Sequence, residues 1–317
     1  MLYHPLPGCE EKVSVIGLGG HEFLPDGRSR GFNEDFKRAV TPGEIFDGFG
    51  AQRRREVLAA AFESGINFLD VTIDSEKEAL GRNLREVPPP FDIYIQTRPE
   101  GMCWGYDPGN PKMADLPILR EEVQRVLRLL RRPRLDILNL GFTIAALQRD
   151  SDFLDRLGEN LAVLKREGLI RWASADTFDG QSLYLSAIAS GHFDAMFINF
   201  SCGDCGALER VLPAARQRGM MVNTREAFMK TALFSLGEKA GITDRSALAR
   251  ASIRWNLAAP GITTVVVGAH DARQLRDNVR AVESSPATPA EDALLQRLRQ
   301  SPAFQQHCAQ RREAFAK

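Results

Sequence analysis

Eight short runs rich in aliphatic and β-branched residues recur along the 317 residues, at 13–20, 65–72, 91–98, 135–142, 170–175, 195–200, 220–224 and 263–267. Stretches with helical periodicity alternate with them, at 53–64, 75–84, 117–131, 151–166, 180–190, 206–217, 244–257 and 272–283. Strict alternation without a reversal requires parallel strands joined by helical crossovers, and eight such units predict a closed (β/α)8 TIM barrel rather than an open doubly wound sheet. A polar helical tail over 289–315 completes the chain, which reads as one domain over 1–317. Two connections, 21–50 and 99–116, are long enough to act as binding loops.

The second run is the informative one. Gly65-Ile66-Asn67-Phe68-Leu69-Asp70-Val71-Thr72 passes almost directly into a helix, and Phe68, Asp70 and Thr72 share one strand face because side chains alternate with a period of two. A carboxylate at the C-terminal end of a barrel strand stands on the rim where such barrels build their sites. The alternative role of capping the following helix falls more naturally to Asp74 or Ser75. Asp70 is therefore the first candidate functional residue.

Composition excludes several classes of function. Forty-one Lys and Arg balance forty-one Asp and Glu, so no net field draws the chain to nucleic acid or to an anionic membrane surface. No apolar run has membrane length, no basic segment precedes an apolar one at the N-terminus, and the five cysteines do not form an even disulfide framework. A cytoplasmic protein acting on a small-molecule substrate is the expectation.

With these runs in place, the chain resembles the aldo-keto reductase family over nearly its whole length. The likeness is carried by Ile16-Gly17-Leu18-Gly19-Gly20, by Gly65 to Asp70, by Leu80-Gly81, by Leu135 to Leu138 and by Gly168-Leu169-Ile170-Arg171. Its most specific part is Val265-Val266-Val267-Gly268-Ala269 with Gln274 and Asn278, which in the family holds the adenosine half of NADP(H). The resemblance thus implies an oxidoreductase that binds NADP(H) through Gly268, Ala269, Gln274 and Asn278 and moves a hydride to or from a small carbonyl or alcohol. Asp70 matches the family's catalytic aspartate. Ser75 stands where the proton-donating tyrosine is expected, Arg98 replaces the lysine, and the histidine falls on Gly141. At the nicotinamide end Asp176-Thr177 replaces Ser-Asn, Phe197 replaces a glutamine, and Arg225 stands where a stacking ring is common.

A serine hydroxyl is far too weak an acid to replace a phenol, so a non-standard proton relay is implied. His21, just beyond the first strand, is the preferred substitute, set against a merely solvated loop histidine. Arg98 and Asp70 are expected to pair, leaving Asp70 ionised, and Gly141 is expected to open space. Tyr106 in the third loop is read chiefly as packing. Cys202-Gly203-Asp204-Cys205 is a lone CxxC without the second ligand pair of a structural zinc site, so no metal is assigned. Arg53-Arg54-Arg55 reads as a solvated helix end. The rival functions are a lyase, isomerase or hydrolase on the same barrel, and a non-catalytic nucleotide-binding protein.

Overall fold

The computed structural model describes residues 1–24, 26–283 and 288–316. Two strands, β1 (Tyr3–Pro5) and β2 (Lys12–Ser14), form an antiparallel hairpin. Eight more form a closed parallel barrel: β3 (Ile16–Gly19), β4 (Phe68–Val71), β5 (Tyr94–Thr97), β6 (Leu135–Gly141), β7 (Ile170–Asp176), β8 (Ala195–Asn199), β9 (Met221–Arg225) and β10 (Thr264–Val267). β10 pairs with β3 to complete the ring. The expected (β/α)8 barrel is the observed one. No helix among the described residues is long and apolar enough to cross a membrane.

Residues 13–20 are not one strand. The chain turns at Val15, so that Val13 belongs to the hairpin and Ile16 begins the barrel. Leu6 and Val13 pack under Phe68, Tyr94, Ile137, Trp172, Ala195, Met221 and Val266, an apolar layer that fills the lower barrel and is stoppered by the hairpin. The helical tail is two helices, Pro289–Gln300 and Pro302–Phe315, because Pro302 has no amide to continue the first and is well suited to open the second. Helices at Ile144–Arg149 and Ala232–Lys239 were not legible from periodicity.

Above the apolar layer the same inward face becomes polar. Two residues on from Phe68, Tyr94, Ile137, Trp172 and Met221 come Asp70, Gln96, Asn139, Ser174 and Asn223, and the next step gives Arg98, Gly141, Asp176 and Arg225. A period of two along parallel strands thus stacks a hydrophobic floor beneath a hydrogen-bonding upper layer. Gln96, Ser174 and Asn223 are fully buried in it.

Candidate active site

Asp70 lies opposite Gln96 in the β4–β5 pairing and accepts a hydrogen bond from Gln96 Nε2 at 2.9 Å. Gln96 Oε1 in turn accepts from Asn223 Nδ2 at 3.0 Å, across the barrel from β5 to β9. Asp70 has no pairing with Arg98. Burial pushes its carboxyl up to about 7, against the opposing effects of the Gln96 bond and of the Arg225 and His21 charges. The expectation of a tightly ionised Asp70 held by Arg98 is therefore overturned. Near neutral pH this group is poised to hold or release a proton.

Arg98 is taken by a nearer carboxylate. Its guanidinium pairs with Glu100 at 3.2 Å, and lies 4.7 Å from the Trp104 ring, 5.6 Å from Tyr106 and 5.7 Å from Phe32. Glu100 also faces the fully buried Lys77 at 3.4 Å, and Lys77 bonds Asp74 at 2.9 Å. Burial opposes charge on Asp74, yet Lys77 and Arg125 hold its carboxyl at about 2. These ions tie the third loop to the helix Asp74–Glu86, and Asp74 also accepts from the Gly43 amide at 2.7 Å. Ser75 accepts from the Phe46 amide at 2.9 Å. Neither Asp74 nor Ser75 caps its helix; both anchor the first loop.

Gly141 opens no space. A Cβ there would run into the Trp104 indole, so the third loop fills the volume that a larger residue on β6 would use. Gly141→Ala should displace Trp104 at a cost of about 1–3 kcal/mol, the usual penalty for overpacking. Urea unfolding and a shift in tryptophan emission check this. Tyr106 packs edge-on against Trp104 and Phe36, and burial raises its phenol above the ordinary range, which suits the packing role.

His21 lies at the mouth with its ring edge-on to Phe32, centroids 5.3 Å apart. Its Nδ1 is 2.7 Å from Glu76 Oε1. Burial disfavours the imidazolium, but the Glu76 carboxylate and the charge of Asp70 leave its pKa raised. Glu76 escaped the sequence reading altogether.

On the far side of the mouth Arg225 makes two bonds to Asp176, at 2.5 and 2.7 Å, and one from Nε to Asn199 Oδ1 at 2.6 Å. Phe178 and Phe197 each lie 4.6 Å from its guanidinium carbon. Burial opposes the charge, and Asp176 outweighs it and raises the Arg225 pKa further. Beyond Phe178 and Asn199 a cavity of about 280 Å³ opens toward the C-terminal helix, reaching Ser201, His307 and Phe315.

The proposed nucleotide end divides in the same way. Gln274 Oε1 folds back onto the His270 amide at 2.6 Å, and the Gln274 amide is capped by Asp271 Oδ1 at 2.8 Å, so the helix start does not present all its amides freely. The Phe23 ring lies against Gly268, within 3.2 Å of where a Cβ would be, and Ala269 is buried beside it. Asn278 is different: it is 4% exposed and its Nδ2 has no partner. Arg54 is not solvated at its tip; Nη2 reaches Gly19 O at 3.0 Å and Nη1 is buried without a partner. Unpaired buried donors beside β3 and β10 fit a polar ligand.

Cys103 and Cys202 are not reactive thiols. Cys103 donates to Pro99 O at 3.2 Å, and burial pushes both Cys103 and Cys202 up to about 12. Among the described residues no group of three or more His, Cys, Asp or Glu could hold a metal ion.

No family model and no curated protein sequence matches the chain. Solved structures do. An aldo-keto reductase from Bacillus halodurans, in its holo form, superposes with a TM-score of 0.68 at 21% identity, covering 97% of this chain and 99% of its own. A glycerol dehydrogenase from Gluconobacter oxydans gives 0.67 at 18%, covering 95% and 96%. An aldo-keto reductase from Klebsiella pneumoniae, solved with NADP and acetate, gives 0.64 at 18%, covering 92% and 94%. The chain has the fold of the aldo-keto reductases.

Proposed function

We propose that the protein is an NADP(H)-dependent oxidoreductase of aldo-keto reductase type, acting on a small carbonyl or alcohol through a non-standard proton relay. The observation that carries the reading is a carboxyl group at the mouth of this fold whose pKa of about 7 lets it exchange a proton at neutral pH. Reduction of a carbonyl consumes one hydride and one proton. A bound nicotinamide supplies the hydride; the chain supplies the proton. Asp70 Oδ1 is occupied by Gln96, so the proton of the neutral carboxyl sits on Oδ2, and His21 stands near enough for its charge to act on Asp70. Arg98, fixed by Glu100 and roofed by aromatic rings, keeps a positive charge at the mouth for the developing alkoxide. Asn278, Gly268, Ala269 and Gln274 are the residues that would hold the nucleotide.

The rival is an acid-base lyase, isomerase or hydrolase on the same barrel. Arg225 favours it, because its two bonds close off Asp176, which with Thr177 and Phe197 stands where the family has Ser, Asn and Gln for the nicotinamide. Titration with NADPH and NADH, followed by nicotinamide fluorescence, decides. Saturable binding is expected, and Asn278→Ala should weaken it about tenfold, the worth of one hydrogen bond to ligand, without loss of stability. Absence of binding by both nucleotides at high micromolar concentration would remove the reductase reading and leave the rival.

A further inference from the structure

We propose that Glu76 and His21 form a positioned carboxylate–imidazole dyad, in which Glu76 holds the Nδ1 proton and leaves Nε2 of His21 as the proton-exchanging atom at the barrel mouth. The inference deepens the reading above and rests on it only for which reaction the proton serves.

The dyad is assembled from three separate constraints. Glu76 lies in the first turn of the helix Asp74–Glu86, with its side chain 1% exposed, and both its oxygens are committed. Oε2 accepts from the Thr72 amide at 2.7 Å, which fixes the carboxylate plane, and Oε1 faces His21 Nδ1 at 2.7 Å. The second constraint is Gly20. A Cβ at that position would sit 2.7 Å from Glu76 Oε2 and 2.9 Å from Val71 Cα, so only glycine lets the carboxylate pass beneath the chain to the residue that follows it. Phe32, edge-on to the imidazole, supplies the third. A ring nitrogen this close to a carboxylate carries the hydrogen, so the neutral tautomer keeps its lone pair on Nε2. The His21 side chain is 41% exposed, so the ring is not sealed off from solvent.

The charges around the pair are of both signs. Glu76 and Asp70 favour the imidazolium, while burial and Arg98 oppose it. Arg54 acts on Glu76 and favours its ionised form, and Glu22 lies within the same field. The carboxylate contact is the short one and sets the tautomer. Glu76 acts through His21 as a positioning residue.

Long-range proton–nitrogen NMR of the protein labelled with ¹⁵N-histidine tests this without any substitution. The neutral His21 ring should show a protonated Nδ1 and an unprotonated Nε2, with a titration midpoint above that of free histidine. In Glu76→Gln the midpoint should fall, with the ratio of protonated to neutral imidazole at a given pH dropping about tenfold. Glu76→Asp, which retains the charge, should restore part of the shift, whereas a merely structural role would move stability and leave the tautomer alone. A neutral ring protonated on Nε2 in the native protein, or an unchanged midpoint in a folded Glu76→Gln, would overturn the dyad. If NADPH fails to bind while the tautomer is as stated, the dyad stands and the reductase reading falls.

Discussion

Asp70→Asn should be more stable than the native protein at pH 8 and nearly inactive. The carboxyl has a pKa of about 7 in the folded protein against an ordinary 3.8. Between about pH 4 and pH 7 the unfolded chain has released this proton and the native state still binds it, so stability falls as pH rises through that window. Below pH 4 both states are protonated and nothing is lost. Above pH 7 the full cost is present, about 2–4 kcal/mol after allowing for partial contact with water at the mouth. Asparagine carries no charge and can still accept from Gln96. The variant should therefore gain that amount at pH 8, gain little at pH 4, and show a flatter pH dependence of its urea midpoint. Its activity should drop by at least about 100-fold, the scale of a lost general acid or base. A stability that is raised where function is removed is the mark of a group retained for chemistry. Equal urea midpoints for the two proteins at pH 8 would show that Asp70 ionises without penalty, and the proton-donor role would go with it.

The barrel was legible because strand and helix periods are local properties of the chain. Asp70 was legible for a related reason, since a carboxylate stands out on an apolar strand. Gln96, Asn139, Asp176 and Asn223 obey the same period of two, one or two steps above Tyr94, Ile137, Trp172 and Met221, yet each lies within a run that reads as strand without needing its polar members explained. Counting upward from the apolar floor on every strand would have found the polar layer. Pairing was harder to read. Arg98 was matched with Asp70 on the neighbouring strand, whereas Glu100, two residues on, reaches it first. Glu76 and His21 are 55 residues apart, and their contact depends on the chain passing at Gly20. The Trp104 ring over Gly141 is set by a loop whose backbone at Trp104 has φ +43°, a local conformation that no periodicity announces.

Asp176→Asn should be the most destabilising single change at the mouth. Arg225 cannot shed its proton, so removing the carboxylate strands a buried cation. Asp176 is fully buried and supplies two of the guanidinium's bonds, while also accepting from Asn139 Nδ2 at 2.9 Å. Breaking one side of a buried pair costs about 3–5 kcal/mol, because the surviving ion keeps its desolvation penalty and loses its attraction. Stacking on Phe178 and Phe197 and the bond to Asn199 remain, which places the expected loss toward the lower end. Replacing both partners should do less harm than replacing one: Asp176→Asn with Arg225→Met removes the stranded charge, leaves an apolar side chain between two phenyl rings, and should recover more than half of the loss in urea unfolding. Equal destabilisation of the single and double variants would mean that shape rather than charge holds this side of the barrel. The double variant also bears on the cofactor, because it removes the closed ion pair from the place where a nicotinamide would lie. If that pair blocks the ring, NADPH should bind the double variant more tightly than the native protein; if Arg225 itself supports the ring, it should bind more weakly.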